Sequence, residues 1–320
     1  MRRTLIAIVM ALSTVAAGAT SGAADSGASG TVSPVRSAAS GTSRNTTKNT
    51  AGSTVRSAAP AAAVPGFDAI GLTGNQRLAG FEIRSPGRAR DLGAVNGLAG
   101  DTALVGIDYR VQDGKLYGVG NQGGVYTLSG RASAVKVSQL TVPLNGTGFG
   151  VDFNPAANRL RVISDTGQNL RHNIDDPVGT PAPGQTVADG ALTGPAPSPI
   201  VTGVLSAGYT NNDLSPATAT TLFDLGTTSA RVLLQSPANA GVVVPTGNLR
   251  VAATGAAGFD VHSSLDNGVT VSNSAFATLK VGGRYRFYGV NLLTGSVNYN
   301  YGAFPAGRQV VDIALRLDRG

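Results

Sequence analysis

Residues 150–175 read GVDFNPAANRLRVISDTGQNLRHNID, a run unusually dense in side chains able to do chemistry. Asp152, Asn154, Asp165 and Asn169 are oxygen donors of the kind a hard cation such as calcium takes. Arg159 and Arg161 alternate along RLRVI, so on a strand they share one face. Across a hairpin, Arg171 would stand opposite Arg161, and such like charges need an anion or a carboxylate between them. Asp152 and Asp165 could fill that role and make an internal network. Alternatively, the arginines converge on an anionic ligand, for which the guanidinium fork is well shaped. Asp108 and Arg110, in the related segment GIDYR, extend the candidate set.

Other routes to catalysis are thin. The chain has no cysteine and two histidines, His172 and His262, which excludes Cys-rich and three-His zinc sites. Glu82 is its only glutamate, and no G-x-S-x-G nucleophile elbow occurs. GVGNQGG at 118–124 satisfies G-x-G-x-x-G through Gly118, Gly120 and Gly123, but VYTL follows it. A dinucleotide loop must open a helix, so a hairpin turn is expected here. Arg77, Arg84, Arg88 and Arg90 read as solvated charges.

The elements that would carry these groups follow from a repeat. GIDYR (106–110), GVDFN (150–154), GFDVH (258–262) and VVDIA (310–314) share an apolar residue on each side of an Asp, with AGYTN (207–211) as a degenerate member. The index positions Asp108, Asp152, Tyr209, Asp260 and Asp312 are 44, 57, 51 and 52 residues apart. Short β-prone segments separated by Gly, Asn, Asp and Pro clusters mark an all-β fold. A period of about 51 residues is that of a four-stranded propeller blade. The spacing predicts a single β-propeller over 66–320, with five blades and six as the alternative. VVDIALRL would pair with FDAIGL, RLAGFEI and ARDLGAV to close the ring and remove exposed sheet edges. In the unit that opens with VLSAGYT, which contains Tyr209, a strand is expected to be missing or displaced. The recurring Asp is read as structural, accepting backbone N–H bonds from a neighbouring turn. A ring of carboxylates at a channel mouth, holding a cation, is the sharper alternative.

The first 65 residues are of another kind. Arg2 and Arg3 precede a short apolar run ending in Ala17-Gly18-Ala19, the pattern of a secretory signal peptide over 1–19. Residues 20–65, nearly all Ser, Thr, Ala, Gly and Val, read as a flexible tether. Six of the 25 basic residues and one of the 18 acidic ones lie in 1–65, so residues 66–320 carry only +2 of the formal +7. The high pI therefore reflects the leader and tether, and nucleic acid is not an expected partner. The mature protein is expected to be secreted, monomeric and without a membrane span.

GLTGNQRLAGFEI, LVGIDYRVQDGKLYGVGNQGGVYTL and, most specifically, GFGVDFNPAANRLRVISDTGQNLRHNID carry a resemblance. The sequence resembles a secreted bacterial family named only as domain of unknown function 4394, over residues 66–320. Val111 stands where that family tends to have Pro, and Asn158 where it often has Asp. The resemblance implies a propeller-like repeat and export, and brings no activity, substrate or catalytic residue.

Two function classes fit. One is a non-catalytic propeller that binds an envelope component, an exported protein or a small ligand. The other is a metal-assisted hydrolase or lactonase-like enzyme, with calcium on Asp152, Asn154, Asp165 and Asn169 and with Arg161 and Arg171 orienting an anionic group.

Overall fold

The computed structural model describes residues 66–320. The signal peptide and tether expected over 1–65 lie outside the described residues. Twenty strands among them form five four-stranded antiparallel sheets. The first blade contains β1 (Ala69–Thr73), β2 (Arg77–Phe81) and β3 (Arg90–Ala94). The second contains β4 (Leu104–Tyr109), β5 (Leu116–Gly120), β6 (Gly124–Leu128) and β7 (Ala134–Gln139). The third contains β8 (Phe149–Asn154), β9 (Arg159–Ser164), β10 (Asn169–His172) and β11 (Thr186–Ala188). The fourth contains β12 (Val204–Tyr209), β13 (Leu222–Gly226), β14 (Arg231–Gln235) and β15 (Val243–Asn248). The fifth contains β16 (Thr254–Asp266), β17 (Val269–Val281), β18 (Arg284–Val290) and β19 (Val297–Ala303).

The last strand, β20 (Val310–Leu315), returns to the first blade and pairs with β1, Ala69 opposite Leu315 and Leu72 opposite Asp312. The sheet order is β20-β1-β2-β3, so chain closure supplies the innermost strand of the first blade. This is a five-bladed β-propeller, as the repeat spacing predicts. The strand expected to be missing from the fourth unit is present. Its outermost strand β15 contains Pro245, which weakens the strand signal and is tolerated at an edge.

The core is divided among the five seams between blades. Phe153, Leu160 and Val162 of the third blade pack on Tyr117 and Val119 of the second. Ile70, Leu72 and Leu78 meet Ile107, Leu116 and Tyr126. Equivalent clusters fill the remaining seams around Tyr209, Phe259 and Phe287. Burying a side chain of this size stabilises by about 1.5–3 kcal/mol. Both faces of each sheet are apolar for this reason, which is why β5 and β6 are buried along their whole length.

The innermost strands all run the same way, so their C-terminal ends surround one mouth of the central channel. One hairpin extends further than the rest. β18 pairs with β17 only over Ala275–Val281, while Val269–Ser274 pair with β16 alone. Among the described residues, no helix is long and apolar enough to cross a membrane.

Candidate functional site

The repeated Asp forms an inter-blade clasp. Asp108 Oδ2 accepts the Phe153 N–H of the next blade at 2.8 Å, and its Oδ1 accepts the Tyr109 N–H at 2.7 Å. Asp152 Oδ1 accepts the Tyr209 N–H at 3.1 Å, and Asp260 Oδ2 accepts the Leu315 N–H at 2.6 Å. In each case the donor lies one residue past the equivalent position in the next blade. Equivalent positions are therefore Asp108, Asp152, Gly208, Asp260 and Ala314.

This register corrects two index residues of the sequence repeat. Gly208, not Tyr209, occupies the fourth position, and Ala314, not Asp312, the fifth. Asp312 belongs two residues earlier, level with Gly106, Gly150, Ser206 and Gly258. Its Oδ2 accepts the Ile107 N–H at 2.8 Å, the same clasp one step down the strand. The glycines of the G-x-D pattern allow the blades to approach. A Cβ at Gly150 would stand 2.7 Å from Ala207 N, and one at Gly258 2.6 Å from the Asp312 Cα.

Asp108, Asp152 and Asp260 place carboxylate oxygens within 4.8 Å of one another, all buried. Charge cannot accumulate there at ordinary cost, and burial pushes the carboxyls of Asp108 and Asp152 well above the usual range. Neighbouring carboxylates add to the effect, chiefly Asp260 on Asp108 and Asp108 on Asp152. Burial raises Asp260 to about 7 and Asp312 to about 8. The ring is thus a set of hydrogen-bonded acids able to hold protons at neutral pH.

The arginines of the opening motif form a second centre, in the seam between the third and fourth blades. Arg161 and Arg171 are paired across β9 and β10, as alternation suggests. The carboxylate between them is Asp189, at 2.7 Å from Arg161 Nη1 and 3.0 Å from Arg171 Nε. Asp152 and Asp165 do not fill this place, because Asp152 is held in the ring and Asp165 fixes a loop. Arg161, almost fully buried, also donates to Tyr209 Oη, Asn169 Oδ1 and Asn239 Oδ1. Arg159 donates to Asp176 and to the carbonyls of Val178 and Thr180. Arg110 makes a two-pronged contact with Asp175, and its Nε donates to Asn158 Oδ1 at 2.9 Å. Arg110 and Arg159 thereby secure the loop between β10 and β11.

The four residues expected to hold calcium do not converge. Asp152 lies in the ring. Asn154 Oδ1 caps its own turn by accepting the Ala157 N–H at 2.8 Å. Asp165 accepts the backbone N–H and hydroxyl of Thr147 at 3.0 and 2.6 Å. Asn169 is consumed by Arg161, Gly190 and Ala238. The four side chains are thus held by different partners, so the hairpin disperses the set that sequence proximity suggests.

The remaining motifs have ordinary settings. Gly118 and Gly120 belong to β5 and Gly123 to the turn before β6, so GVGNQGG is a hairpin. His172 is buried between Ser138 Oγ at 2.9 Å and Thr186 Oγ1 at 3.0 Å, and burial lowers it to about 4. His262 Nδ1 lies 3.0 Å from the Arg316 carbonyl.

A cavity of about 610 Å³ lies over the channel mouth, where the innermost strands end. Val111, Leu214, Leu265 and Leu317 give it apolar walls, and Asp113, Asp213 and Arg316 give it charge. Sequence reading misses these residues because they come from the end of β16 and from the loops after β4, β12 and β20, with no shared motif. It also misses Asp224, which is fully buried with neither carboxylate oxygen hydrogen-bonded among the described residues. Burial raises Asp224 strongly, against the opposing charge of Arg161.

The family model described as "Domain of unknown function (DUF4394)" matches residues 77–314. The chain belongs to this DUF4394 family. No curated protein matches it. Among solved structures, the DUF4394 chain is similar to hydrazine synthase of Kuenenia stuttgartiensis, at 13% identity and a TM-score of 0.36. That match covers 66% of this chain and 53% of the other. It is also similar to BamB from Moraxella catarrhalis, at 13% identity and a TM-score of 0.31, covering 72% of this chain and 57% of the other. The DUF4394 chain thus spans little more than half the length of each.

Proposed function

We propose that this protein is an exported, non-catalytic propeller that binds a small, partly apolar ligand in the cavity over the channel mouth. The observation that carries this reading is the cavity itself. Its 610 Å³ falls within the size of small-molecule sites, which combine apolar walls with a few placed polar groups. Val111, Leu214, Leu265 and Leu317 offer the walls, and Arg316 offers a charged group for orientation, while Asp113 and Asp213 brace the rim through bonds to Lys115, Tyr117, Ser215 and Thr270. The groups of the ring and of the opening motif are spent internally: the ring carboxylates on backbone amides, and Arg110, Arg159, Arg161 and Arg171 on carboxylates and carbonyls. A hydrolase reading has less support, because Asp152, Asn154, Asp165 and Asn169 serve four separate local roles. The ligand would be an envelope component or another molecule met outside the cell, since the leader reads as an export signal.

Native mass spectrometry of the protein, incubated with a low-molecular-weight extract of bacterial envelopes, tests the reading. A bound species is expected on the wild type and not on Leu214→Trp, which fills the cavity. A species retained equally by both proteins would place the ligand elsewhere and sink the proposal.

A further inference from the structure

A second cleft, of about 730 Å³, opens in the seam between the fifth and first blades. One wall carries Asp68, Glu82 and Arg84 of the first blade, and the other carries Phe276 and Tyr301 of the fifth. The two walls differ in chemistry.

The aromatic wall is a built platform. Tyr301 packs on Phe276 at 5.9 Å and on Phe287 at 5.7 Å, and Phe276 stacks flat on Phe287 at 5.4 Å. Tyr299 continues the row beyond the cleft's own lining, 4.6 Å from Tyr301 and tilted 59° to it, and is 60% exposed. Gly289, opposite Tyr299 in the ladder, makes room for the row. A Cβ there would meet Asn298 Oδ1 at 2.5 Å and the Tyr301 ring at 3.5 Å. Together the two tyrosines present a broad, partly exposed aromatic surface with polar hydroxyls at its edge.

The polar wall supplies hydrogen-bonding groups of both signs. Asp68 Oδ2 accepts the Ile83 N–H at 3.0 Å, which fixes its carboxylate beside that of Glu82. Slight desolvation and this neighbouring acid raise the Glu82 carboxyl from its ordinary value. Arg84 and Arg316 balance the two acids, so the cleft has no strong excess of one sign. A ligand matching both walls has an apolar C–H face, to lie against tyrosine rings, and an edge of hydroxyls, to meet carboxylates and guanidinium groups. Hydrogen bonds to charged groups are the stronger ones and also fix orientation.

We infer that this seam is a binding cleft for a neutral saccharide chain, stacked on Tyr299 and Tyr301 and hydrogen-bonded by Asp68, Glu82 and Arg84. It is separate from the cavity over the channel mouth, though both border the segment Arg316–Arg319.

Isothermal titration with chitotetraose, cellotetraose and maltotetraose tests it on the full protein. At least one is expected to bind with a dissociation constant between about 10 µM and 1 mM. Tyr299→Ala, on an exposed ring, and Glu82→Gln, which keeps the shape, should each weaken that binding at least about tenfold, some 1.4 kcal/mol. Leu214→Trp should leave it unchanged, so the two cavities fail or succeed independently. Absence of binding by all three oligosaccharides would overturn the inference. So would binding that survives both cleft variants, or that Leu214→Trp abolishes.

Discussion

The backbone N–H of Phe153 is held by the carboxylate of Asp108 at 2.8 Å, across the seam between two blades. The same relation joins Tyr209 to Asp152 and Leu315 to Asp260, so a polar side chain in the hub performs what sheet ladders cannot do between separate sheets. A buried acceptor of this kind stabilises only while its donor stays paired.

Asp152→Ala should therefore destabilise the protein by about 2–3 kcal/mol, since Tyr209 N–H would be left buried without a partner. Asp152→Asn keeps an acceptor oxygen and should cost less. Urea unfolding of the three proteins measures this. An unchanged midpoint for the alanine variant would contradict the clasp and return Asp152 to the list of ligand-binding candidates.

The raised acids predict an inverse pH dependence. Asp260 and Asp312 titrate near 7 and 8 in the folded state, well above an unfolded Asp. Between those limits the folded protein holds protons that the unfolded chain has released, so stability falls as pH rises. It levels off once the folded acids have ionised. The melting temperature should drop from pH 6.5 to 8.5, and Asp312→Asn should flatten that slope. A wild-type melting temperature that rises through this window would refute the assignment.

His172 acts in the opposite sense and at lower pH. Burial lowers it to about 4, so it stays neutral while an unfolded histidine would already be charged. Its contribution is present above the unfolded value of about 6.5 and is lost as pH falls toward 4. NMR titration of the two imidazoles should show no protonation of His172 above about pH 5. A midpoint near 6.5 would mean that the Ser138–Thr186 pocket is open to water.

Arg161→Ala should cost about 1–3 kcal/mol, the scale for leaving buried acceptors without a donor, because Arg171 still pairs with Asp189. It leaves Asn169 Oδ1 and Asn239 Oδ1 without their donor, while Asp189 keeps only Arg171. Arg161→Lys should restore little, because one ammonium cannot reach the several acceptors that the planar fork serves. Thermal unfolding of both variants would show it, and near-full stability of the lysine variant would argue against a geometric requirement.

Calcium added to metal-stripped protein should leave the melting temperature unchanged, since Asp108 and Asp260 accept amide hydrogens on both oxygens and Asp152 on one, and the other expected ligands are dispersed. A native-state cation site would instead raise it in proportion to occupancy. A rise that Asp108→Asn abolishes would make the hub a metal centre.

Much of this architecture was legible in the chain because it repeats. A seam must be filled at the same height in every blade, so the Gly and Asp of GIDYR, GVDFN and GFDVH recur where neighbouring strands touch. The repeat weakens where that demand is relaxed. Gly208 takes the acid's place, and the ring of Phe259 lies 3.0 Å from where its Cβ would stand. In the closing strand the acid moves down two residues to Asp312, and alignment by residue type then misassigns the level. Only the donor amides reveal the true register.

The candidate sites divided differently. Residue type and strand alternation alone put Arg161 beside Arg171 and required an acid between them, because two guanidinium groups repel wherever the backbone places them opposite. Which acid answers was a matter of tertiary structure: Asp189 arrives from a loop beyond β11, while nearby Asp152 and Asp165 turn to other partners. The cavity over the channel mouth and the Tyr299–Tyr301 cleft left no mark in sequence order at all. Their walls come from loops and blades far apart in the chain, and only ring closure through β20 brings them together. Sequence thus determined the period, the blade and the buried polar chemistry, which are local demands repeated along the chain. The surfaces left free for a ligand were decided by how the blades meet, which no single segment encodes.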